Sequence, residues 1–287
     1  MALWAVLVFG FVSSATSIRS AFADEAATHY NAGLQLKREG KVPEAIAEVQ
    51  KAIAARSGYA AAHLTLGNLF RTQGDYAKAA TEYETVVKLE PKDATAHANL
   101  GAAYVRTKRL GDGIKELERA VELAPDGYES RMDLGAAYRQ KGDYPKAITH
   151  LQRATELQPA DPSAWNNLGV AKSKTDDKEG AIIAFKRALS LNPNDAELHF
   201  NLAAVFRRQR ETEKAIAEYQ LALQTNPKLA KAYYDLGILY SQERRTEDSA
   251  EALEKYLQYS RSDDTASRKD AEERLVSLRA ALAAKKR

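Results

Sequence analysis

Residues 162–195 read PSAWNNLGVAKSKTDDKEGAIIAFKRALSLNPND, and this stretch decides the fold. Its landmarks are Trp165, Leu168 and Gly169 near the start and Pro193 near the end. The glycine recurs every 34 residues, with alanine once in its place, at Gly33, Gly67, Gly101, Gly135, Gly169, Ala203 and Gly237. A second series keeps the same period, at Pro91, Pro125, Pro159, Pro193 and Pro227. A fixed period of this length predicts stacked repeats, each too small to bury its apolar face alone.

The order W-x2-L-G, then A-x3-F and P, resembles the signature of tetratricopeptide (TPR) repeats, with Ala181, Phe185 and Pro193 as its second half. The resemblance runs without a gap from Ala26 to about Arg261. It implies an all-α fold, an α-α superhelix (TPR solenoid) of antiparallel helix pairs, in which helix A of each repeat precedes helix B. The predicted repeats are residues 26–59, 60–93, 94–127, 128–161, 162–195, 196–229 and 230–263, followed by a C-terminal capping helix over 264–287.

The residues of each repeat also follow a helical pattern. Repeat positions 4, 7, 8 and 11 have the spacing of one helical face, which predicts the packing surface of helix A. Glycine inside a helix costs about 1 kcal/mol relative to alanine. The glycine at position 8 therefore predicts that helix B of the same repeat approaches closely there. Gly40, Gly74 and Gly142 predict turns between the two helices, and the proline at position 32 ends helix B.

The N-terminal segment predicts export. Residues 2–13 are an apolar run, and Ala21-Phe22-Ala23 matches a signal-peptidase site, so residues 1–23 are predicted to be a signal peptide and Asp24 the mature start. The expected location is periplasmic or secreted. The run lacks a preceding Lys or Arg, which leaves two alternatives: an uncleaved N-terminal membrane anchor or a misassigned start codon. Contact with a membrane is expected only if this segment stays attached.

Composition and spacing disfavour several classes of function. A net charge of +3 gives no general signal for nucleic-acid binding. The chain has no cysteine, which excludes thiolate nucleophiles and cysteine-ligated zinc. Four histidines, His29, His63, His97 and His199, all occupy position 4, so whole repeats separate them and they are expected to pack rather than bind one metal ion. No catalytic motif is present. We therefore expect neither an enzyme nor a cofactor.

The resemblance implies that helix A lines a concave groove that binds peptides, with positions 2, 5, 6, 9, 12 and 13 facing it. Position 6 carries mostly amides and acids: Asn31, Thr65, Asn99, Asp133, Asn167, Asn201 and Asp235. This column resembles the asparagine ladder of the O-linked N-acetylglucosamine transferase repeats, where it holds the substrate peptide. The aromatic residues at position 5 are Tyr30, Phe200 and Tyr234. Positions 12 and 13 carry cations, namely Lys37, Arg38, Arg71, Arg106, Arg139, Lys174, Arg207 and Arg208.

Each of these features has a structural alternative. The amides could serve the stacking of helices, and cations near a helix C-terminus interact favourably with its dipole. The carboxylate clamp of TPR co-chaperones is disfavoured, because it needs a lysine at position 5 and no repeat has one.

These observations together predict a non-enzymatic scaffold in the bacterial cell envelope that binds a protein or peptide, possibly an acidic one, in the groove. Two alternatives stay open. One is a structural subunit of an envelope assembly, of the polymer-export or pilus type, that uses its convex face or cap helix. The other is a binder of an acidic polymer.

Overall fold

A computed structural model describes residues 25–285, which contain fifteen α-helices and no strand. They divide into two compact units, which we call unit 1, ending at Lys141, and unit 2, beginning at Gly142. The helices of unit 1 are α1 (25–38), α2 (Val42–Ala55), α3 (Ala60–Thr72), α4 (Tyr76–Leu89), α5 (Ala94–Arg106), α6 (Leu110–Leu123) and α7 (Tyr128–Lys141). Those of unit 2 are α8 (Tyr144–Leu157), α9 (Pro162–Ser173), α10 (Lys178–Leu191), α11 (Ala196–Arg208), α12 (Thr212–Thr225), α13 (Ala230–Gln242), α14 (Thr246–Tyr259) and α15 (Thr265–Lys285).

The all-α fold of tandem antiparallel helix pairs is confirmed. In unit 1, α3 packs on α4 and α5 on α6; in unit 2 the pairs are α9 with α10, α11 with α12 and α13 with α14. The predicted signal peptide lies outside the described residues. Among residues 25–285, no helix combines the length and apolar character that crossing a membrane requires.

Aspartate side chains begin many of the helices. In unit 1 the Asp75 carboxylate accepts a hydrogen bond from the backbone N–H of Lys78, and Asp93 accepts from two N–H groups of the first turn of α5. In unit 2 the Asp177 carboxylate accepts from Gly180 N–H at 2.9 Å. Each bond satisfies a backbone donor that has no partner within its own helix. Asp177 is thus a helix cap.

The position-8 glycines lie where helices A and B are closest, as predicted. A Cβ added to Gly67 would lie 2.5 Å from the Tyr83 ring on α4. In unit 2 a Cβ on Gly237 would lie 2.7 Å from the Leu253 side chain on α14. Side chains of helix B therefore fill the space that a Cβ would occupy, and they belong to the buried core of each unit.

In six of the seven repeats, the turn between helices A and B has a left-handed residue at position 15; Asp176, at that position in the fifth repeat, does not have a positive φ. Gly40, Gly74 and Gly142 have φ between 75° and 85°, as their role in the turn predicts. The same position in three other repeats holds residues with a side chain at φ of 58° to 65°, namely Lys108, Arg210 and Arg244. A left-handed conformation costs a non-glycine residue about 1–2 kcal/mol. These repeats keep the turn at the expense of local strain.

The position-4 histidines do more than pack. His97 is buried, its Nδ1 lies 2.6 Å from Glu116 Oε2, and its Nε2 lies 3.1 Å from the Pro91 carbonyl oxygen. Each ring nitrogen thus lies within hydrogen-bond distance of an oxygen in another segment. His63 and His199 make the same two bonds, and His29 makes the bond to its glutamate. The ring joins helix A to helix B and to the end of the preceding repeat.

Candidate functional site

Two adjoining clefts lie in unit 1, against the C-terminal ends of α3, α5 and α7. The first, of about 440 Å³, is lined by Arg71, Thr72, Tyr76, Ala102, Ala103, Arg106 and Asp133. The second, of about 450 Å³, is lined by Ala102, Val105, Arg106, Leu117, Asp133, Ala136, Ala137, Arg139 and Gln140. Ala102, Arg106 and Asp133 belong to both clefts. The structure thus brings together four of the predicted groove residues.

The three arginines of this site are not neutralised. Within the described residues, no carboxylate lies within ion-pair distance of Arg71, Arg106 or Arg139, although each lies near a helix C-terminus. The Arg106 guanidinium lies 4.9 Å from the centre of the Tyr76 ring, within the range of a cation–π contact. The Nε of Arg139 is buried without a hydrogen-bond acceptor. The site therefore presents unsatisfied positive charge and unused N–H donors.

Asp133 is the acidic residue shared by the two clefts, and its side chain is exposed. Its pKa is nevertheless raised above the ordinary value, first because surrounding protein atoms desolvate the carboxylate. The Glu129 charge also raises this pKa, and the Arg71 guanidinium partly opposes the shift. An exposed carboxylate can be partly desolvated when it lines a cleft, as Asp133 does.

The other position-6 residues of unit 1 differ in exposure and bonding. Asn31 is exposed and Asn99 is half-buried, and neither side-chain amide bonds to a protein group in the described part of the chain. Thr65 is buried, and its hydroxyl lies 3.1 Å from the Tyr30 hydroxyl. The two amides have donors and acceptors to spare, and their role in peptide binding stays a prediction.

In unit 2 the corresponding amides bond within the fold. The Asn167 amide donates to the Ser163 carbonyl oxygen of its own helix at 3.0 Å. The Asn201 amide donates at 3.2 Å to the Asn166 side chain of the preceding repeat. Of these two bonds, the Asn201 bond joins two repeats and fits the stacking alternative, whereas the Asn167 bond stays within its own helix. They engage one N–H of each amide and leave its oxygen available.

The acid and the arginine of the last repeats in unit 2 form an internal network. Asp235 is buried, accepts a hydrogen bond of 2.7 Å from the Tyr219 hydroxyl and pairs with Arg207 at 3.0 Å. Burial, and next the charge of Asp235, raise the pKa of Tyr219, which keeps the phenol neutral as a donor. Arg207 is therefore balanced where Arg71 is not. Lys174 is exposed at the end of α9.

The position-5 aromatic residues make contacts within the fold. The Tyr30 ring lies 4.9 Å from the Tyr59 ring, and the Lys231 ammonium lies 4.1 Å from the centre of the Phe200 ring. The Tyr234 hydroxyl donates to Asp270 of α15 at 2.8 Å. The C-terminal helix therefore covers part of Tyr234. Whether these rings also contact a ligand stays a prediction.

Sequence reasoning missed two features of the molecule. Tyr76 is not among the predicted groove residues, yet it lines the cleft and contacts Arg106. The histidine–glutamate pairs were also missed, although a constant separation of 19 residues marks them: His29–Glu48, His63–Glu82, His97–Glu116 and His199–Glu218. That recurrence is visible in the sequence once the two helices of a repeat are written side by side.

Comparison with known proteins supports the repeat assignment. The family model of the cilia and flagella-associated protein 70 C-terminal domain matches residues 13–272. MamA 41-end from Desulfovibrio magneticus RS-1 is 25% identical, with a TM-score of 0.56 over 59% of this chain and 96% of its own. YrrB, described as a TPR protein with an unusual peptide-binding site, is 22% identical (TM-score 0.58; 64% and 95% covered).

The C-terminal part of a TPR repeat-containing protein from Cytophaga hutchinsonii is 16% identical, with a TM-score of 0.66 over 83% of this chain and 98% of its own. At identities of 16% and 22%, this protein and YrrB show the fold alone. No curated protein sequence matches the chain.

Proposed function

The chain belongs to the family of the cilia and flagella-associated protein 70 C-terminal domain, and from this premise we propose that it is a non-enzymatic scaffold that binds an acidic segment of a partner protein in unit 1. The observation that carries the proposal is the group of three arginines without carboxylate partners around one pair of clefts. Guanidinium groups bind carboxylates through paired N–H···O bonds. YrrB, a protein of the same fold, is described as having a peptide-binding site.

The contrast between the two units supports this location. In unit 2 the Arg207 guanidinium already has an acid, Asp235, at 3.0 Å. A ligand carboxylate that approached Arg207 would have to displace that pair. In unit 1 a ligand meets Arg71 and Arg106 unpaired, and association with an acidic segment is accelerated by their field.

Fluorescence polarisation with labelled peptides tests this proposal. The probe is a glutamate-rich peptide, compared with a serine-rich peptide of the same length. We expect the double variant Arg71→Glu/Arg106→Glu to bind the glutamate-rich probe at least tenfold more weakly and to make that binding less dependent on salt. The matched control is Lys88→Glu/Lys115→Glu, which makes the same change of charge at two exposed residues outside the clefts. Equal binding by both double variants would refute the proposed site.

Experiments on the same purified protein test the two remaining candidate functions. A binder of an acidic polymer would bind polygalacturonate more tightly than the glutamate-rich peptide, and this polymer serves as the competitor. A structural subunit would self-associate or assemble through α15, which light scattering before and after removal of residues 264–287 detects. Tight peptide binding by a monodisperse protein supports the scaffold.

We further propose that the protein is exported and acts in the bacterial envelope. The support is the apolar run over residues 2–13 and the Ala21-Phe22-Ala23 site. Expression in a Gram-negative host, followed by fractionation and mass spectrometry, should give a periplasmic protein that begins at Asp24. Recovery of a cytoplasmic protein that still carries Met1 would overturn the proposal, and a membrane-bound one would indicate an anchor.

A further inference from the structure

The two clefts of unit 1 differ in chemistry, and we infer from this difference that the bound segment carries an apolar side chain beside an acidic one. The inference rests on the proposed function and specifies its ligand. We call the cleft that contains Arg71, Thr72 and Tyr76 the polar lobe, and the cleft that contains Val105 and Leu117 the apolar lobe. All residues that line the two lobes belong to unit 1.

The apolar lobe is suited to a hydrocarbon side chain. Besides Val105 and Leu117, it is lined by three alanines, Ala102, Ala136 and Ala137, and by the polar residues Arg106, Asp133, Arg139 and Gln140. Its volume of about 450 Å³ exceeds that of any single side chain. The five small and branched apolar residues remove water from a ligand side chain that packs against them. A leucine or similar residue gains most from this lobe.

The polar lobe is suited to one carboxylate. Arg71 and Arg106 line it together with Thr72 and Tyr76, so a carboxylate there finds two cations. The Thr72 hydroxyl already donates to the Asn68 carbonyl oxygen at 2.9 Å. Arg106 also borders the apolar lobe. A ligand carboxylate on Arg106 therefore places the neighbouring ligand residues at the mouth of the apolar lobe.

Asp133 affects which ligand residue lies beside the acid. Its carboxyl group borders both lobes and has no ion-pair partner among the described residues. A ligand carboxylate in the apolar lobe would meet this like charge as well as Arg106 and Arg139, and it would lose hydration beside the apolar residues. An apolar ligand side chain in the same place has no charge to desolvate. The lining thus favours an apolar residue next to the acid.

A peptide series on the full chain tests the inference. Each labelled peptide has one glutamate in a Gly/Ser background, with a leucine placed one to four residues away on either side; reference peptides lack the leucine or the glutamate. We expect one spacing to bind at least tenfold more tightly than the glutamate-only peptide. Removing the glutamate should abolish binding of that peptide.

Filling the apolar lobe provides the matched variant. Ala136→Leu should cancel the advantage of the leucine-containing peptide and leave the glutamate-only peptide unchanged. Ala77→Leu, at an exposed residue of α4 outside both lobes, serves as the control and should change neither. Circular dichroism verifies that both variants fold. If Ala136→Leu does not fold, the peptide series on the unaltered chain decides by itself.

Two results would overturn the inference. The first is a flat series, in which leucine adds nothing at any spacing while glutamate-dependent binding persists; the proposed function would then stand without its specificity. The second is that Ala136→Leu weakens binding of the leucine-containing and the glutamate-only peptide equally. Failure of every glutamate peptide to bind, including the glutamate-rich probe, would remove the proposed function itself.

Discussion

Replacing Gly101 by alanine tests the helix contact on which each repeat depends. A Cβ at this residue would lie 2.7 Å from Leu117 Cγ, 2.8 Å from the Gly113 carbonyl oxygen and 3.0 Å from the Leu117 nitrogen. Two of these atoms belong to the backbone of α6, so no side-chain rotation relieves the overlap. The helices α5 and α6 must move apart by several tenths of an ångström.

The expected magnitude follows from two opposing effects. Overpacking of a buried contact costs about 1–3 kcal/mol, and alanine gains about 1 kcal/mol over glycine inside a helix. Because backbone atoms block the Cβ of residue 101, the cost should lie in the upper part of that range, leaving a net loss of about 1–2 kcal/mol. Ala203 occupies the same position in another repeat, so helix pairs can accommodate the methyl group and the variant should still fold.

Urea unfolding followed by circular dichroism measures this loss, and hydrogen exchange should localise it to α5 and α6, since repeats unfold as coupled neighbours. Gly111→Ala is the matched control, because nothing lies within 4 Å of a Cβ there. That variant should be as stable as the parent or up to about 1 kcal/mol more stable. If Gly101→Ala behaved like the control, the close approach of α5 and α6 would not limit the residue at position 8.

Three further predictions concern individual side chains. Lys108→Gly should stabilise unit 1 by about 1 kcal/mol, since its φ of 65° strains a residue with a side chain, and an unchanged melting temperature would contradict this. A double-mutant cycle of His97→Ala and Glu116→Gln should give a coupling energy of about 1–2 kcal/mol, because the two polar groups lie 2.6 Å apart and the ring is buried. Additive effects of the two substitutions would exclude the link. Asp133→Asn should tighten binding of the glutamate-rich probe a few-fold without changing the melting temperature. Asp235→Asn should instead lower the free energy of unfolding by about 1–2 kcal/mol without changing binding of the probe. The reverse pattern would exchange the roles of the two acids.

The sequence was sufficient to predict the fold because period and packing are linked at single residues. Gly67 must be small since Tyr83, 16 residues later, fills the space beside it, and that relation repeats with the period. The turn at Gly74 was also predictable, because a residue with a positive φ is favoured to be glycine. Lys108 shows the limit of such reasoning. Its own side chain gives no sign of the left-handed backbone that the residue adopts.

The candidate site was harder to predict, because its properties depend on which residues at other positions meet it in space. Asp133 and Asp235 are the same residue type at the same repeat position. Asp235 is buried, and the Tyr219 hydroxyl and the Arg207 guanidinium both bond to it. Asp133 stays exposed between two lobes, with no arginine at ion-pair distance. The first acid balances an arginine and stabilises unit 2, whereas the second leaves the cations of unit 1 available. A column of like residues is therefore not one site, and pairing within each unit decides where a ligand can bind.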